Sequence, residues 1–157
     1  INLAHCSNIT DAAVIALAEN CVDLTSINLN FCVNITYAAV IALVENCGGL
    51  QSIDLSGCLN ITDAAIIALA ERCAGLKWIS LSYNSNITDA SVIALSENCE
   101  YLEDMEWQRQ KHCRFTKITG TGRALIKEIK TRPKPPPLEK GWWMDDGTGP
   151  RCKGMMN

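Results

Sequence analysis

Apolar and polar residues in this chain alternate between two spacings, and the change from one to the other recurs along the sequence. In one unit Ile53 and Leu55 lie two positions apart, as on a strand that buries one face. Further along, apolar residues recur at i, i+3, i+4 and i+7, which marks one face of a helix. These helical positions are Ile66, Leu69, Ala70 and Cys73. Each unit therefore predicts a strand of about three to five residues, a turn, a helix ending near Arg72, and a second turn.

The helix-bearing stretch occurs four times in near copy. Its first asparagine falls at Asn8, Asn34, Asn60 and Asn86, so the period is 26 residues. A period between about 20 and 50 residues indicates a solenoid, in which each unit buries its apolar face against its neighbours. Repetition in a fixed register stacks the strands into one parallel sheet and the helices onto the opposite side. The predicted fold class is an α/β solenoid, and the threonine of each unit is predicted to cap its helix.

The spacing Leu50-x-x-Ile53-x-Leu55-x-x-Cys58, followed by Ile-Thr-Asp and a helix ending in cysteine, resembles the leucine-rich repeat in its cysteine-containing subtype. The resemblance covers residues 1–107. It implies a curved solenoid with the parallel sheet on the concave side and the helices on the convex side. Asn84 stands where the other units have cysteine, and both side chains can bond to backbone groups in the turn.

The composition changes after residue 107. Residues 1–107 hold 13 acidic and two basic residues, for a net charge of -11, whereas residues 108–157 hold 12 basic and four acidic residues, for a net charge of +8. We predict four repeats over residues 1–107 and a degenerate fifth repeat or cap over 108–131. Residues 132–157 contain all five prolines and read as a basic, Pro-rich, disordered tail.

Seven of the nine cysteines fall in two positions of the repeat, at the end of the strand segment and at the end of the helix. They are Cys6, Cys32 and Cys58, then Cys21, Cys47, Cys73 and Cys99. A disulfide ladder or a zinc site are the alternatives, but no C-x-x-C spacing occurs. We predict small buried thiols, neither a metal nor a cofactor, and a reducing cytoplasmic or nuclear compartment.

The four repeated asparagines also form N-x-T sequons, which in a secreted protein would accept glycans. We interpret the sequon as a by-product of the repeat, since the asparagine belongs to a tight turn and the threonine begins the helix. The alternative is an extracellular or surface recognition module that is glycosylated at these four turns.

Catalytic chemistry has little support in the sequence. His5 and His112 are the two histidines, and no nucleophile, base and orienting acid recur together. Gly120-Thr121-Gly122 is too short for a phosphate loop and lacks its lysine. We therefore predict that the chain is not an enzyme. The sequence has no run of about 18 apolar residues and therefore predicts no membrane-spanning helix.

Binding is predicted on strand positions that point away from the core. The predicted partner-binding residues are Asn28, Asn30, Asp54, Ser56, Trp78, Ser80, Ser82, Tyr83, Asp104 and Glu106. Trp78 alternates with buried Ile79 and is a candidate interface anchor, with Phe31 and Tyr83 at the rim. The alternative is that Trp78 only packs over its neighbours. The carboxylates make this face acidic, which favours a basic segment of a protein partner.

The basic end of the chain allows three interpretations. It could bind nucleic acid or acidic lipid, fold back on the acidic repeats, or remain a solvated tail. We predict the solvated tail, and we expect neither a membrane nor a nucleic-acid partner. Lys130, Pro133 and Pro136 also fit the basic-x-x-P-x-x-P pattern of SH3 ligands, which is common by chance.

The repeat resembles the substrate-receptor part of F-box proteins in cullin-based ubiquitin ligases. This resemblance implies protein recognition on the concave face, with ligase subunits bound through a missing N-terminal region. The chain begins in mid-repeat at Ile1, so we expect a fragment whose first repeat frays or aggregates at its apolar edge. A purely structural scaffold is a further alternative.

Overall fold

The computed structural model describes residues 1–107 and 117–133, in which short strands alternate with helices. The helices are α1 (Asp11–Asn20), α2 (Tyr37–Asn46), α3 (Asp63–Arg72), α4 (Asp89–Asn98) and α5 (Gly120–Thr131). The strands are β1 (Ser26–Asn28), β2 (Ser52–Asp54), β3 (Trp78–Ser80) and β4 (Asp104–Glu106). Each strand has three residues, at the lower end of the predicted length.

The four strands form one parallel sheet in the order β1-β2-β3-β4. Its register follows the repeat, so that Ile27 pairs with Ile53, Ile53 with Ile79, and Ile79 with Met105. The helices form a second row in which each packs against the next. The structure is therefore an α/β stack of the repeating kind that the period predicts, because identical registers bring equivalent residues into contact.

The core lies between the sheet and the helices. All four predicted positions of the α3 face, Ile66, Leu69, Ala70 and Cys73, are fully buried, as are Ile53 and Leu55. In the first repeat Leu3 and Ile9 are only partly buried, and Ile1 is exposed. In the first repeat only Val14 and Ala18 are fully buried, whereas most apolar positions of the later repeats are, as expected for a linear array in which neighbours supply the burial.

The threonine caps follow the prediction in only part of the array. The hydroxyls of Thr36, Thr88 and Thr119 each accept a hydrogen bond from the backbone N–H two residues later. Thr62 and Thr10 make no such bond, so the cap predicted at Thr62 is wrong. The difference follows the preceding repeat: an aspartate of that repeat accepts from each capping threonine, and Thr62 has no such aspartate before it.

The cysteines at the strand end bond across repeats, as expected for a repeated buried position. Cys58 Sγ donates to the Leu29 carbonyl oxygen at 3.1 Å, and Asn84 Nδ2 donates to the equivalent Leu55 carbonyl at 2.9 Å. The burial predicted for Cys6 and Cys21 is wrong, since Cys6 is exposed and Cys21 half-buried. Both belong to the first repeat, whereas the buried thiols of later repeats each bond to a carbonyl oxygen of an earlier one, as at Cys32, Cys47, Cys58 and Cys99. Cys113 and Cys152 lie outside the described residues.

Helix α5 follows the fourth repeat and packs against both α4 and β4. Its apolar face buries Ile126 and Ile129, and Arg132 at its end donates to the Ser96 carbonyl oxygen at 3.2 Å. The division at 108–131 and the tail at 132–157 stay predictions, because much of both segments lies outside the described residues. Within the described ranges, no helix has the length and apolarity needed to cross a bilayer.

Candidate partner-binding surface

Three rows of side chains cross the outward side of the sheet, and we call this surface the strand face. The first row is Ser26, Ser52, Trp78 and Asp104, the second is Asn28, Asp54, Ser80 and Glu106, and the third is Asn30, Ser56 and Ser82. Because the strands are in register, equivalent residues of successive repeats lie side by side about 5 Å apart. The strand face is thus a regular surface whose chemistry is set by the residues that differ between repeats.

Two residues of the second row also hydrogen-bond to the backbone of the turn after their strand. The Asn28 side-chain oxygen accepts a hydrogen bond from the Asn30 N–H at 2.9 Å, and the Asp54 side chain accepts one from the Ser56 N–H at 2.9 Å. Each bond turns the chain at the end of its strand. An asparagine therefore serves this turn as well as an aspartate, and the negative charge of Asp54 is not needed for it.

The serines of the strand face lie deeper than the sequence suggests. Ser56, Ser80 and Ser82 are buried, and the hydroxyls of Ser56 and Ser80 are 2.6 Å apart in a mutual hydrogen bond. Ser80 therefore has no free hydroxyl to offer a partner at the surface. Among the described residues, no group bonds to Ser82 Oγ, although this side chain is only 1% exposed.

An aromatic row borders the strand face just after the strands. His5, Phe31, Gly57 and Tyr83 are spaced by 26 residues, and all four have positive φ, between 56° and 69°. His5 stacks on Phe31 with ring centroids 5.3 Å apart, and Phe31 lies 5.6 Å from the Tyr83 ring. We call these three rings the aromatic rim. The sequence indicated Phe31 and Tyr83 but missed His5, which the 26-residue spacing could have revealed.

Gly57 has no side chain, and this leaves room for the Phe31 ring of the aromatic rim. A Cβ atom at Gly57 would lie 2.7 Å from Cδ1 of Phe31, closer than real Cβ contacts. The Phe31 ring therefore occupies the space that a side chain in the third repeat would fill. Gly57 is also suited to its φ of +69°, a conformation that residues with a Cβ adopt at a cost.

A cavity of about 240 Å³ lies between the aromatic rim and the strand face. It is lined by His5, Asn30, Phe31, Asp54, Ser56, Ser82, Tyr83 and Glu106. Six of the ten predicted partner-binding residues meet here, and the other four (Asn28, Trp78, Ser80 and Asp104) lie outside it. Trp78 is half-buried in the first row, where it lies between Ser52 and Asp104.

The acidic residues of the strand face differ in their pairing. Lys130 Nζ lies 2.6 Å from Asp104 Oδ1, so helix α5 already neutralises that carboxylate. No cation among the described residues forms an ion pair with Asp54 or Glu106. Of the strand-face carboxylates, the two without an ion pair are therefore the two that line the cavity.

The sequon asparagines are occupied in contacts between repeats. The side-chain Nδ2 atoms of Asn34, Asn60 and Asn86 donate to carbonyl oxygens of Ser7, Val33 and Leu59, at 2.7 to 3.0 Å. Nδ2 is the atom that a glycan would modify. In residues 1–107 and 117–133, no three His, Cys, Asp or Glu side chains gather as metal ligands would.

Comparison with known proteins gives likeness in structure alone. No protein-family model matches the chain, and no curated protein matches it. A chain from the crystal structure of the Rad7 and Elc1 complex in yeast aligns with a TM-score of 0.62 at 20% identity, over 76% of this chain and 32% of that one. This chain thus spans about a third of the length of that match.

Two further structures resemble the chain. The tropomodulin C-terminal domain of Caenorhabditis elegans aligns with a TM-score of 0.53 at 14% identity, over 79% of this chain and 93% of that one. Leiomodin-1 actin-binding site 2 aligns with a TM-score of 0.54 at 14% identity, over 76% and 87%. At these identities the likeness is one of fold, and it agrees with a leucine-rich-repeat-like α/β repeat.

Proposed function

We propose that the chain is a protein-recognition module that binds a basic segment of a partner protein across the strand face. The observation that carries this proposal is the cavity at the aromatic rim, where Asp54 and Glu106 have no cationic partner among the described residues. Unpaired carboxylates beside exposed aromatic rings suit a basic peptide, since they supply both charge attraction and apolar contact.

The rest of the strand face supports the same function. The repeats carry 13 acidic residues against two basic ones, so a basic partner is attracted from a distance as well as in contact. Trp78 offers a large half-buried ring between small and acidic neighbours, a composition typical of interface anchors. The parallel ladder holds these side chains on regular backbone, which lowers the entropy that binding would otherwise cost.

In its finer form, the proposal makes the strand face the substrate-binding surface of an F-box-type ubiquitin ligase receptor. The resemblance of residues 1–107 to cysteine-containing leucine-rich repeats supports it, together with the fold shared with a chain of the Rad7 and Elc1 complex. The strand face then binds the substrate of the ligase. The chain acts by positioning its partner, without catalysis of its own.

We also propose a reducing cytoplasmic or nuclear compartment. The strand-end thiols Cys32 and Cys58 each donate to a carbonyl oxygen of the preceding repeat, a contact that needs the S–H form. The engaged Nδ2 atoms of the sequon asparagines weigh against the glycosylated extracellular alternative, because a glycan would be attached to an atom that already makes a contact between repeats. Glycans found at Asn34 or Asn60 by mass spectrometry would contradict this compartment.

The test is peptide binding to the intact chain. Peptides are selected from a random displayed library, and their affinity is measured by fluorescence anisotropy for the wild type, Trp78→Ala and Ile93→Ala. Ile93 is an exposed apolar residue of α4, away from the strand face, and serves as the matched control. We expect basic peptides, and an affinity loss of about tenfold or more for Trp78→Ala alone.

Thermal unfolding of the same variants separates binding from folding. We expect Trp78→Ala to melt within a few degrees of the wild type. If Trp78→Ala lowers the melting temperature and leaves the affinity unchanged, Trp78 packs the fold and does not contact a partner. Selection of acidic or uncharged peptides would contradict the proposed partner chemistry.

A further inference from the structure

We propose that the cavity at the aromatic rim binds the guanidinium group of one arginine side chain of a partner peptide. This inference rests on the proposed function and assigns the chemistry of its central contact. The occupant is identified by three features of the cavity: two separated carboxylates, a buried hydroxyl without a partner among the described residues, and the faces of aromatic rings.

The carboxylates supply the charge and the spacing. One oxygen of Asp54 is bonded to the Ser56 N–H, and the other has only Asn30 Nδ2 near it, at 3.5 Å. Glu106 lies in the same row two strands away, so the two backbones are about 10 Å apart. A guanidinium presents five N–H donors in a planar fork and can donate in two directions at once, whereas an ammonium group is a compact point charge.

Ser82 supplies the observation that points to a ligand. Ser82 and Ser56 both line the cavity, but Ser56 shares a hydrogen bond with Ser80, and no described residue bonds to Ser82 Oγ. Buried hydroxyls are nearly always hydrogen-bonded, so a lone one in a native cavity calls for an explanation. Because its Oγ atom has almost no exposed surface, the Ser82 side chain would rotate toward the cavity to accept a hydrogen bond from an arginine N–H there.

The aromatic rim supplies a stacking surface for the same group. Phe31 and Tyr83 lie on either side of Gly57, with their rings tilted by 44°. A guanidinium plane packs well on aromatic faces through its positive charge and its flat shape. Rings and carboxylates together favour a flat cation, which an arginine side chain offers and a neutral or acidic side chain does not.

The first arm of the test isolates the side chain from any peptide. Amide resonances of the ¹⁵N-labelled full chain are followed during titration with N-acetyl-L-arginine amide, and separately with N-acetyl-L-citrulline amide, its uncharged analogue of similar shape. We expect arginine to shift the amides of Gly57, Ser82 and Tyr83, and citrulline to leave them in place. Equal shifts from both compounds would overturn the proposal.

Variants then assign the contacts. Asp54→Asn keeps the turn bond to Ser56, as Asn28 does in its own repeat, and removes the charge. Ser82→Ala removes the lone hydroxyl. We expect each to weaken arginine binding about fivefold or more, while Ser82→Ala melts no lower than the wild type. Asp23→Asn, an exposed carboxylate outside the cavity, is the charge-matched control and should bind as the wild type does.

Three further outcomes are decisive. Arg109 and Arg114 belong to the basic segment that follows residue 107. If Arg109→Ala with Arg114→Ala shifts the cavity amides without added probe, that segment of the chain occupies the site and the proposal fails. If selected peptides bind in a manner that depends on Trp78, yet arginine and citrulline behave alike at the cavity, this inference fails and the proposed function stands. Arginine-specific shifts without any selected peptide would instead leave the cavity assignment in place and count against peptide recognition.

Discussion

The carboxylate of Asp63 accepts two hydrogen bonds from Thr88 of the next repeat, one from the backbone N–H at 2.9 Å and one from the hydroxyl at 2.7 Å. The Thr88 hydroxyl in turn accepts from the Ala90 N–H at 3.2 Å, at the start of α4. Asp63 therefore orients the side chain that caps the following helix. Asp63 is thus an acidic residue in the first turn of α3 and also a link between two repeats.

The same arrangement recurs wherever both residues are present. Asp11 accepts from Thr36, Asp89 accepts from Thr119, and both threonines cap their helices. Tyr37 occupies the aspartate position of the second repeat, and Thr62 after it has no cap bond. We infer that the threonine cap depends on the aspartate of the preceding repeat, because the aspartate fixes the direction of the hydroxyl.

Replacing Tyr37 with aspartate should therefore stabilise the array. The Tyr37 side chain is 46% exposed, and Tyr37→Asp supplies an acceptor for Thr62 and an acid at the start of α2. We expect the free energy of unfolding to rise by about 1 kcal/mol, measured by urea denaturation. Tyr37→Asn, uncharged and of the same size as aspartate, should give a smaller gain. A loss of stability in Tyr37→Asp would contradict the role assigned to the carboxylate.

Stability should fall in acid through the same aspartates. Burial alone raises the pKa of Asp63, but the hydrogen bonds from Ser91 and Thr88 outweigh it and hold the pKa below its ordinary value of 3.8. Hydrogen bonds from Thr119 likewise lower the pKa of Asp89. A carboxyl whose pKa is lower in the folded state stabilises the fold above its unfolded pKa and loses that contribution as the pH falls.

The melting temperature should accordingly be steady near neutral pH and drop as the pH falls below about 4. Asp63→Asn should melt at a lower temperature than the wild type at pH 7. Its free energy of unfolding should be lower by about 1–2 kcal/mol, since charge-assisted hydrogen bonds are lost. The gap between the two proteins should narrow in acid, as Asp63 becomes protonated in the wild type. A constant gap from pH 7 to pH 3, measured by circular dichroism, would contradict this origin.

The repeat position that holds Cys58 in one unit and Asn84 in the next should accept cysteine in place of asparagine. Asn84 Nδ2 bonds to the Leu55 carbonyl as Cys58 Sγ bonds to Leu29, while Asn84 Oδ1 has no bond among the described residues. We expect Asn84→Cys to change the unfolding free energy by less than about 1 kcal/mol, because a donor remains and a buried unpaired oxygen is removed. Asn84→Ala, the matched control, leaves the Leu55 carbonyl without its donor and should cost about 1–3 kcal/mol. Equal effects of the two changes would refute the bond as the basis of the position.

Alkylation rates should divide the repeat cysteines into two groups. Burial raises the pKa of both Cys58 and Cys99 to about 12, so very little reactive thiolate forms at neutral pH. Cys6 is exposed and should react with iodoacetamide much faster than Cys58 or Cys99 in the native protein. Mass spectrometry of peptides after timed labelling measures each rate. Similar rates for all three thiols would show that the repeats open readily or do not stack as described.

The sequence predicts features that lie within one repeat better than features that join repeats. The strand alternation at Ile53 and Leu55 and the helical face ending at Cys73 follow from periodicity alone. The bond from Asp63 to Thr88 spans 25 residues, so neither position suggests it within its own repeat. Sequence spacing does place both residues once the units are superimposed, since the bond joins equivalent positions of successive units.

The sequence predicted which residues of the candidate site face outward, but not how deeply they are buried or how they pair. Alternation along the strands placed Asp54 and Glu106 on the outward surface, where the structure has them. It could not show that the Ser82 side chain is buried, because burial depends on how the surrounding repeats pack. It also could not show that Lys130 pairs with Asp104, since helix α5 follows a segment that breaks the repeat register.

The most direct test of the account is to locate a bound basic peptide on the chain. A selected basic peptide carrying a nitroxide label is added to the ¹⁵N-labelled full chain, and the broadening of each amide resonance is measured. We predict broadening at β1 to β4 and around Phe31 and Tyr83, with helices α1 to α4 largely unaffected. Broadening confined to the helices, with the strand face unchanged, would contradict the claim that the strand face is the recognition surface.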